Sequence, residues 1–402
     1  MDGPGPLAGE GKAKQQQATF LELFFDVVFV FGLTRISLRG TEGLIGPEVH
    51  HPAVVIAGLL KFVFLLLALW SVWHLTAWIT SRYDPYGSII QLVVIVALLS
   101  SMVMGVAIGK AYGNGGLALA IAYVTAQMSG PLILTIRLRD REQRRLKLRM
   151  LVTFAVTGLA WISGGLMEQH WRGALWALAL GTEYVAARTG WPVPGLGRSR
   201  VAKLAIAGAH LGERYQQFFL IALGESVLVS GRAYAEGSFG AGHSVAFALA
   251  LIMSVLIWWI YFHRAGQILP DAVGRSTRPG RMARSTADSH LIMLIGIVTT
   301  AIGCHVGIQQ PHGRAPLAWV AVILGGPAMF TIGRSRFEHE VFGRVSPSRI
   351  VVVAALAALF PVMLHLPPLA ALGATAAVLA AAAAADARRA RGHPPEPPSP
   401  RP

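Results

Sequence analysis

The chain of 402 residues is 54% hydrophobic and only 14% charged, with a mean hydropathy of +0.54, whereas a soluble domain carries roughly 25% charged residues. These values exclude a water-soluble enzyme. The formal charge of +15 does not argue for a nucleic-acid binder, because the Lys and Arg residues sit between apolar runs instead of gathering on one exposed face.

Residues 1–18 are polar and Gly/Gln-rich and lack the charged-then-apolar order of a cleavable signal peptide, so they are expected to form a polar cytoplasmic N-terminus. From 19 to 387 apolar runs recur, each close to the roughly 20 residues a helix needs to cross a hydrocarbon core. Spans are predicted at 20–38, 53–79, 86–108, 117–136, 150–168, 172–187, 211–231, 244–263, 288–308, 315–333, 350–366 and 368–386. The short alternating segments of a spanning β-barrel are absent. The expected fold is therefore all-α, a polytopic membrane helix bundle of about twelve transmembrane helices. Residues 388–402 are Arg/Pro-rich and are expected to be a disordered cytoplasmic tail.

Lys and Arg accumulate in cytoplasmic loops, and here they alternate. One side collects Lys12, Lys14, Arg82, seven basic residues between Arg137 and Arg149, the group Arg188, Arg198, Arg200 and Lys203, the Arg residues from Arg264 to Arg284 and from Arg334 to Arg349, and those of the tail. The other side holds only Arg39, Lys110, Arg172, Arg232 and Arg314. This bias predicts a plasma-membrane protein with both termini in the cytoplasm, as an even number of spans requires. A duplication is also legible. Glu22 and Glu213, Trp73 and Trp259, and Gly109 and Gly303 lie about 190 residues apart. The intervals predict two parallel six-helix halves, 19–190 and 205–387, an arrangement known among transporters.

Ionised side chains at bilayer depth are costly, and they mark either a functional path or a structural pair. Glu22 and Asp26 are four residues apart, on one helix face among aromatics and valines. Glu213 and Glu225 flank an apolar stretch, with His210 one turn before Glu213 and Ser226 next to Glu225. Glu22 and Glu213 fall near predicted cytoplasmic ends, where an interfacial position or pairing with Arg214 would satisfy them. Asp26 and Glu225 are deeper, with Arg35 a candidate partner, and they are expected to serve binding or conduction. The tryptophans read as interfacial belts and packing. The membrane histidines are scattered, no HExxH helix, phosphate loop or GxSxG elbow occurs, and the lone Cys304 offers no disulfide or thiolate cluster. No metal and no cofactor is expected.

Three segments carry a family resemblance: E-L-F-F-D-V-V-F-V-F from Glu22 to Phe31, the stretch from His210 to Ser226, and W-W-I-Y-F from Trp258 to Phe262. In this order and spacing they resemble the bacterial low temperature requirement A family over roughly residues 18 to 380. The chain departs from the family pattern at Tyr215-Gln216-Gln217, where Phe-Gly-Leu is usual. The resemblance implies a multi-pass inner-membrane protein without an established activity. A fainter likeness links the first span to potassium channels built from six-helix repeats, although Phe24-Phe25-Asp26 lacks the serine of their Phe-Ser-Asp motif.

The leading expectation is a secondary transporter or channel-like permease, not an enzyme, whose partners are the lipid bilayer and a small solute or ion and whose path is lined by Asp26, Glu225 and Ser226. An intramembrane enzyme using His210, Glu213 and Glu225 as acid and base is the alternative, and a structural or sensory membrane component a third.

Overall fold

The computed structural model of the protein describes residues 17–45, 51–199, 208–263, 272 and 279–391. The first sixteen residues and the tail from 392 onward lie outside them. Twelve helices are described: α1 Phe20–Glu42, α2 Pro52–Thr80, α3 Ser88–Ile108, α4 Gly116–Arg137, α5 Arg141–Leu166, α6 Gln169–Thr189, α7 Gly208–Glu236, α8 Ala241–Tyr261, α9 Pro279–Gln309, α10 Leu317–Phe342, α11 Pro347–Met363 and α12 Pro368–Ala390. The described residues contain no β-sheet, so the all-helical expectation holds.

What faces outward identifies the solvent. On α3 the exposed residues include Leu92, Ile95, Leu99, Met102, Val103 and Val106, a stripe at helical spacing. On α8 the outward face carries Val245, Ile252, Val255 and Trp258 while Ala246, Ala250 and Ser254 are buried. A helix in water puts its polar residues outside; here both faces are apolar, as lipid exposure requires. Among the described residues nine helices are long and apolar enough to cross a bilayer. The other three are α11, with 17 residues, and α1 and α6, which carry the buried ionisable groups Glu22, Asp26, Arg172 and Glu183. The protein is a multi-pass membrane protein.

Element boundaries differ from the sequence expectation mainly at basic segments. Most of the run from Arg137 to Arg149 is helix, because Asp140 caps the start of α5 by accepting from the Gln143 amide at 2.9 Å, which satisfies one of the four unpaired donors of a first helical turn. Helices α6 and α10 stop at Gly190 and Gly343, with φ of 86° and 69°, a conformation that costs glycine nothing.

The described residues sort into two compact units, one drawn mainly from residues up to 35 and 64–214, the other mainly from 36–63, 215–263 and 282–391. In the first, α4 packs on α3 and α5, and α5 on α6. Arg172 locks this unit by donating to five backbone carbonyls, those of Ala111, Gly113, Gly164, Gly165 and Met167, at 2.7–3.4 Å. Nearby, in the turn after α3, burial pushes the Tyr112 phenol up to about 12 against the opposing pull of Arg172. In the second unit α12 packs on α8, α10 and α11. Helices α9 and α10 come backbone to backbone. A side chain on Gly303 would meet the Ile323 Cα at 2.8 Å, and one on Gly326 would meet the Thr300 backbone nitrogen at 2.5 Å.

Candidate functional site

In the first unit the acids of α1 are built into a closed charge cluster. Thr19 and Glu22 start the helix as a reciprocal cap: the Glu22 amide donates to Thr19 Oγ at 3.3 Å, and the Thr19 amide donates back to Glu22 Oε2 at 2.9 Å. This is the Thr-x-x-Glu capping box, which satisfies two end donors at once. The Thr19 hydroxyl donates to the same Oε2 at 3.0 Å. One turn on, Asp26 Oδ1 accepts from Trp73 Nε1 and from Arg214 Nη2, each at 2.8 Å. Arg214 Nε also lies 3.6 Å from Glu22 Oε1, so one guanidinium serves both acids.

His210 closes the cluster, with Nε2 at 3.3 Å from Glu22 Oε2 and Nδ1 at 3.0 Å from Ser81 Oγ. Glu22, Asp26, His210 and Arg214 are all at most 1% exposed. The i,i+4 reading of Glu22 and Asp26 places them correctly on one inward face, and Glu22 pairs with Arg214 as the sequence allowed, while one pairing comes out differently. Arg214 reaches both acids of α1. Asp26 takes Arg214 as its ion partner, and among the described residues no ion pair joins it to Arg35. Glu213 is partly exposed and stands at the edge of the cluster.

Glu225 and Ser226 belong to the second unit. Glu225 is fully buried in α7, and among the described residues neither of its carboxylate oxygens has a hydrogen-bond partner. Ser37 is its polar neighbour, and the Ser37 hydroxyl is likewise without a hydrogen bond. Ser226 Oγ lies 3.5 Å from Ser254 Oγ, and Ser254 donates to the Ala250 carbonyl at 3.1 Å. The result is a buried carboxylate with the Ser37 hydroxyl as its polar neighbour.

Glu183 and Lys147 are among the buried ionisable groups that sequence reasoning missed. Glu183 of α6 accepts from Tyr123 at 2.5 Å, Thr157 at 2.7 Å and Trp161 at 3.2 Å. Its signal was an acid inside an apolar run, the same signal that marks Glu225. Lys147, counted with the loop charges, is fully buried, its amine 4.5 Å from the centre of the Trp78 ring and 5.3 Å from that of Tyr83. Trp73 is also more than belt or packing, since it is wholly buried and holds Asp26. Among the described residues no group of three or more His, Cys, Asp or Glu side chains is placed to hold a metal ion.

Comparison with known proteins places this architecture among relatives. The family described as bacterial low temperature requirement A protein (LtrA) matches residues 17–384. An uncharacterized protein of Rhizobium meliloti (strain 1021) is 31% identical over 353 residues, covering 87% of this chain and 84% of that protein. No solved structure matches.

Proposed function

The chain belongs to the bacterial low temperature requirement A family, and from that premise we propose that it is a secondary transporter or channel-like permease for a small solute or ion. The observation that carries this reading is Glu225. Charge at the centre of a spanning helix costs about 2.5–3.5 kcal/mol on insertion scales, and a buried carboxylate normally recovers that cost through donors. Glu225 has none among the described residues. A group kept without a permanent partner in an apolar interior suits a transient one, and the hydroxyl of Ser37 adds an oxygen ligand for a small cation or polar solute. On this reading the partners are the bilayer and that solute, and the protein catalyses no covalent chemistry.

The two-half organisation belongs to the same proposal. Beyond the intervals noted above, Gly130-Pro131 with Thr135 and Ile136 in α4 matches Gly326-Pro327 with Thr331 and Ile332 in α10. In each helix the threonine hydroxyl returns to the carbonyl of the proline four residues back, at 2.6 and 2.8 Å. The same Gly-Pro-x-x-x-Thr-Ile segment with the same hydroxyl back-bond, in corresponding helices, supports an ancestral six-helix unit. The basic-residue bias supports placement in the plasma membrane with cytoplasmic termini. Reporter fusions after Gln143, Arg278 and Arg391 are expected to read cytoplasm, and fusions near Glu168 and His312 the opposite side.

The test of function is uptake into proteoliposomes, screened over sodium, potassium, rubidium and small metabolites, with wild type and Glu225→Gln side by side. Expected is uptake by wild type and at least a tenfold loss in the variant with its melting temperature preserved. Equal uptake by both would remove Glu225 from the path.

A further inference from the structure

Among the described residues the buried Lys and Arg side chains are Lys147, Arg149, Arg172, Arg214, Arg334 and Arg349. All but the first donate to a fixed acceptor. Arg149 reaches Ser199, Arg172 the carbonyls already named, Arg214 Asp26, Arg334 the Ile260 carbonyl and Arg349 Asp386. Lys147 is 0% exposed, and its amine makes no hydrogen bond among the described residues.

What lies around that amine is aromatic and positive. Its contacts with the Trp78 and Tyr83 rings are cation–π contacts, which recover only part of the cost of taking a cation out of water. The Arg82 guanidinium lies over the same two rings, 5.6 and 5.9 Å from their centres, and is the charged group that acts on Lys147. Two cationic side chains thus share one aromatic pair. The acids close in the chain are engaged elsewhere: Asp140 is exposed and caps α5 through the Gln143 amide, and Asp84 accepts from the Tyr86 amide at 3.0 Å.

A third donor comes from Gln143, one turn before Lys147 on α5. Its carbonyl oxygen accepts from the Tyr83 hydroxyl at 3.2 Å, which leaves its amide nitrogen to donate. Trp78, Arg82 and Gln143 are only half-buried, so the group of donors opens toward the surface. That surface carries the exposed arginines 137, 139, 141, 144 and 145 and is the one that the basic-residue bias assigns to the cytoplasm. Basic pockets between spanning helices on that side suit anionic headgroups.

We propose that Lys147, Arg82 and Gln143 form a binding site for a phosphate group, carried by an anionic lipid headgroup or by a soluble phosphate compound. The tetrahedral oxygens of a phosphate accept from several directions at once, which matches an amine, a guanidinium and an amide on two different elements; a carboxylate offers two oxygens in one plane. The site stands apart from Glu225 and does not depend on the permease reading.

Native mass spectrometry of the full-length protein in detergent, titrated with phosphatidylglycerol, reads the lipid arm. Wild type is expected to bind the first phosphatidylglycerol at least tenfold more tightly than Lys147→Met, whereas Arg144→Gln, which removes one exposed charge of the same run, stays within about twofold of wild type. The soluble arm follows melting temperature with inorganic phosphate added at constant ionic strength. Lys147-dependent lipid binding without a phosphate response assigns the headgroup, and a Lys147-dependent phosphate response assigns a soluble phosphate, each in support of the site. No difference between wild type and Lys147→Met in either arm, or an equal loss in Arg144→Gln, overturns it. Should Lys147→Met not be obtained folded, Arg82→Gln at the half-buried edge carries the comparison by the same criteria.

Discussion

In the first unit the Glu183 carboxylate receives three hydrogen bonds, from Tyr123, Thr157 and Trp161, whereas in the second unit both Glu225 oxygens lack any among the described residues. Each acid lies in mid-helix, each is buried, and in the sequence they are indistinguishable. The difference lies entirely in what neighbouring helices present. A saturated carboxylate is an internal fastening, since its charge is spread over fixed donors that would be stranded without it. An unsaturated one fastens nothing. The Glu22–Asp26–Arg214–His210 cluster stands between these limits, with ion pairs in place and some of its atoms unbonded.

This contrast orders the expected effects of substitution on stability in detergent. Arg214→Met should be the most damaging, by about 3–5 kcal/mol, because it strands the two carboxylates that the guanidinium serves. A melting temperature close to wild type would mean that the acids are neutralised some other way. Glu183→Ala follows, on the order of 3 kcal/mol, since three buried donors lose their acceptor; Glu183→Gln, which retains one acceptor oxygen, should recover part of this. Thr19→Val should cost about 1 kcal/mol, the usual worth of a helix cap, and a null result would show that Glu22 is held by Arg214 and His210 alone. Glu225→Gln stands last as the one change expected to cost nothing, leaving the protein as stable or more so, because no bonded partner is lost and an uncompensated buried charge is removed. A large destabilisation there would erase the distinction between the two acids.

The twelve helices were legible because a bilayer imposes nearly the same apolar length on every span. Their ends were less so: whether the basic run before α5 is loop or helix was decided by Asp140, a single capping side chain. At the site, the i,i+4 spacing of Glu22 and Asp26 gave their shared inward face. Arg214 was legible as a candidate partner of Glu22 but not of Asp26, from which it is 188 residues away in the chain and to which only tertiary packing brings it. The capping role of Glu22 was available in Thr19-x-x-Glu22 but is overshadowed by the more conspicuous pair of acids. Glu183 passed unnoticed although it carries the same mark as Glu225.

The close approach of α9 and α10 has a mechanical consequence. Gly303 seats against the Ile323 Cα and Gly326 against Thr300, so neither helix can slide along or roll on the other without collision of main chains. The pair behaves as one stiff strut, whereas helices separated by full-sized side chains can shift by exchanging rotamers. Whatever rearrangement accompanies activity must therefore carry α9 and α10 together. Their middle turns should be the last amides in the second unit to exchange with deuterium.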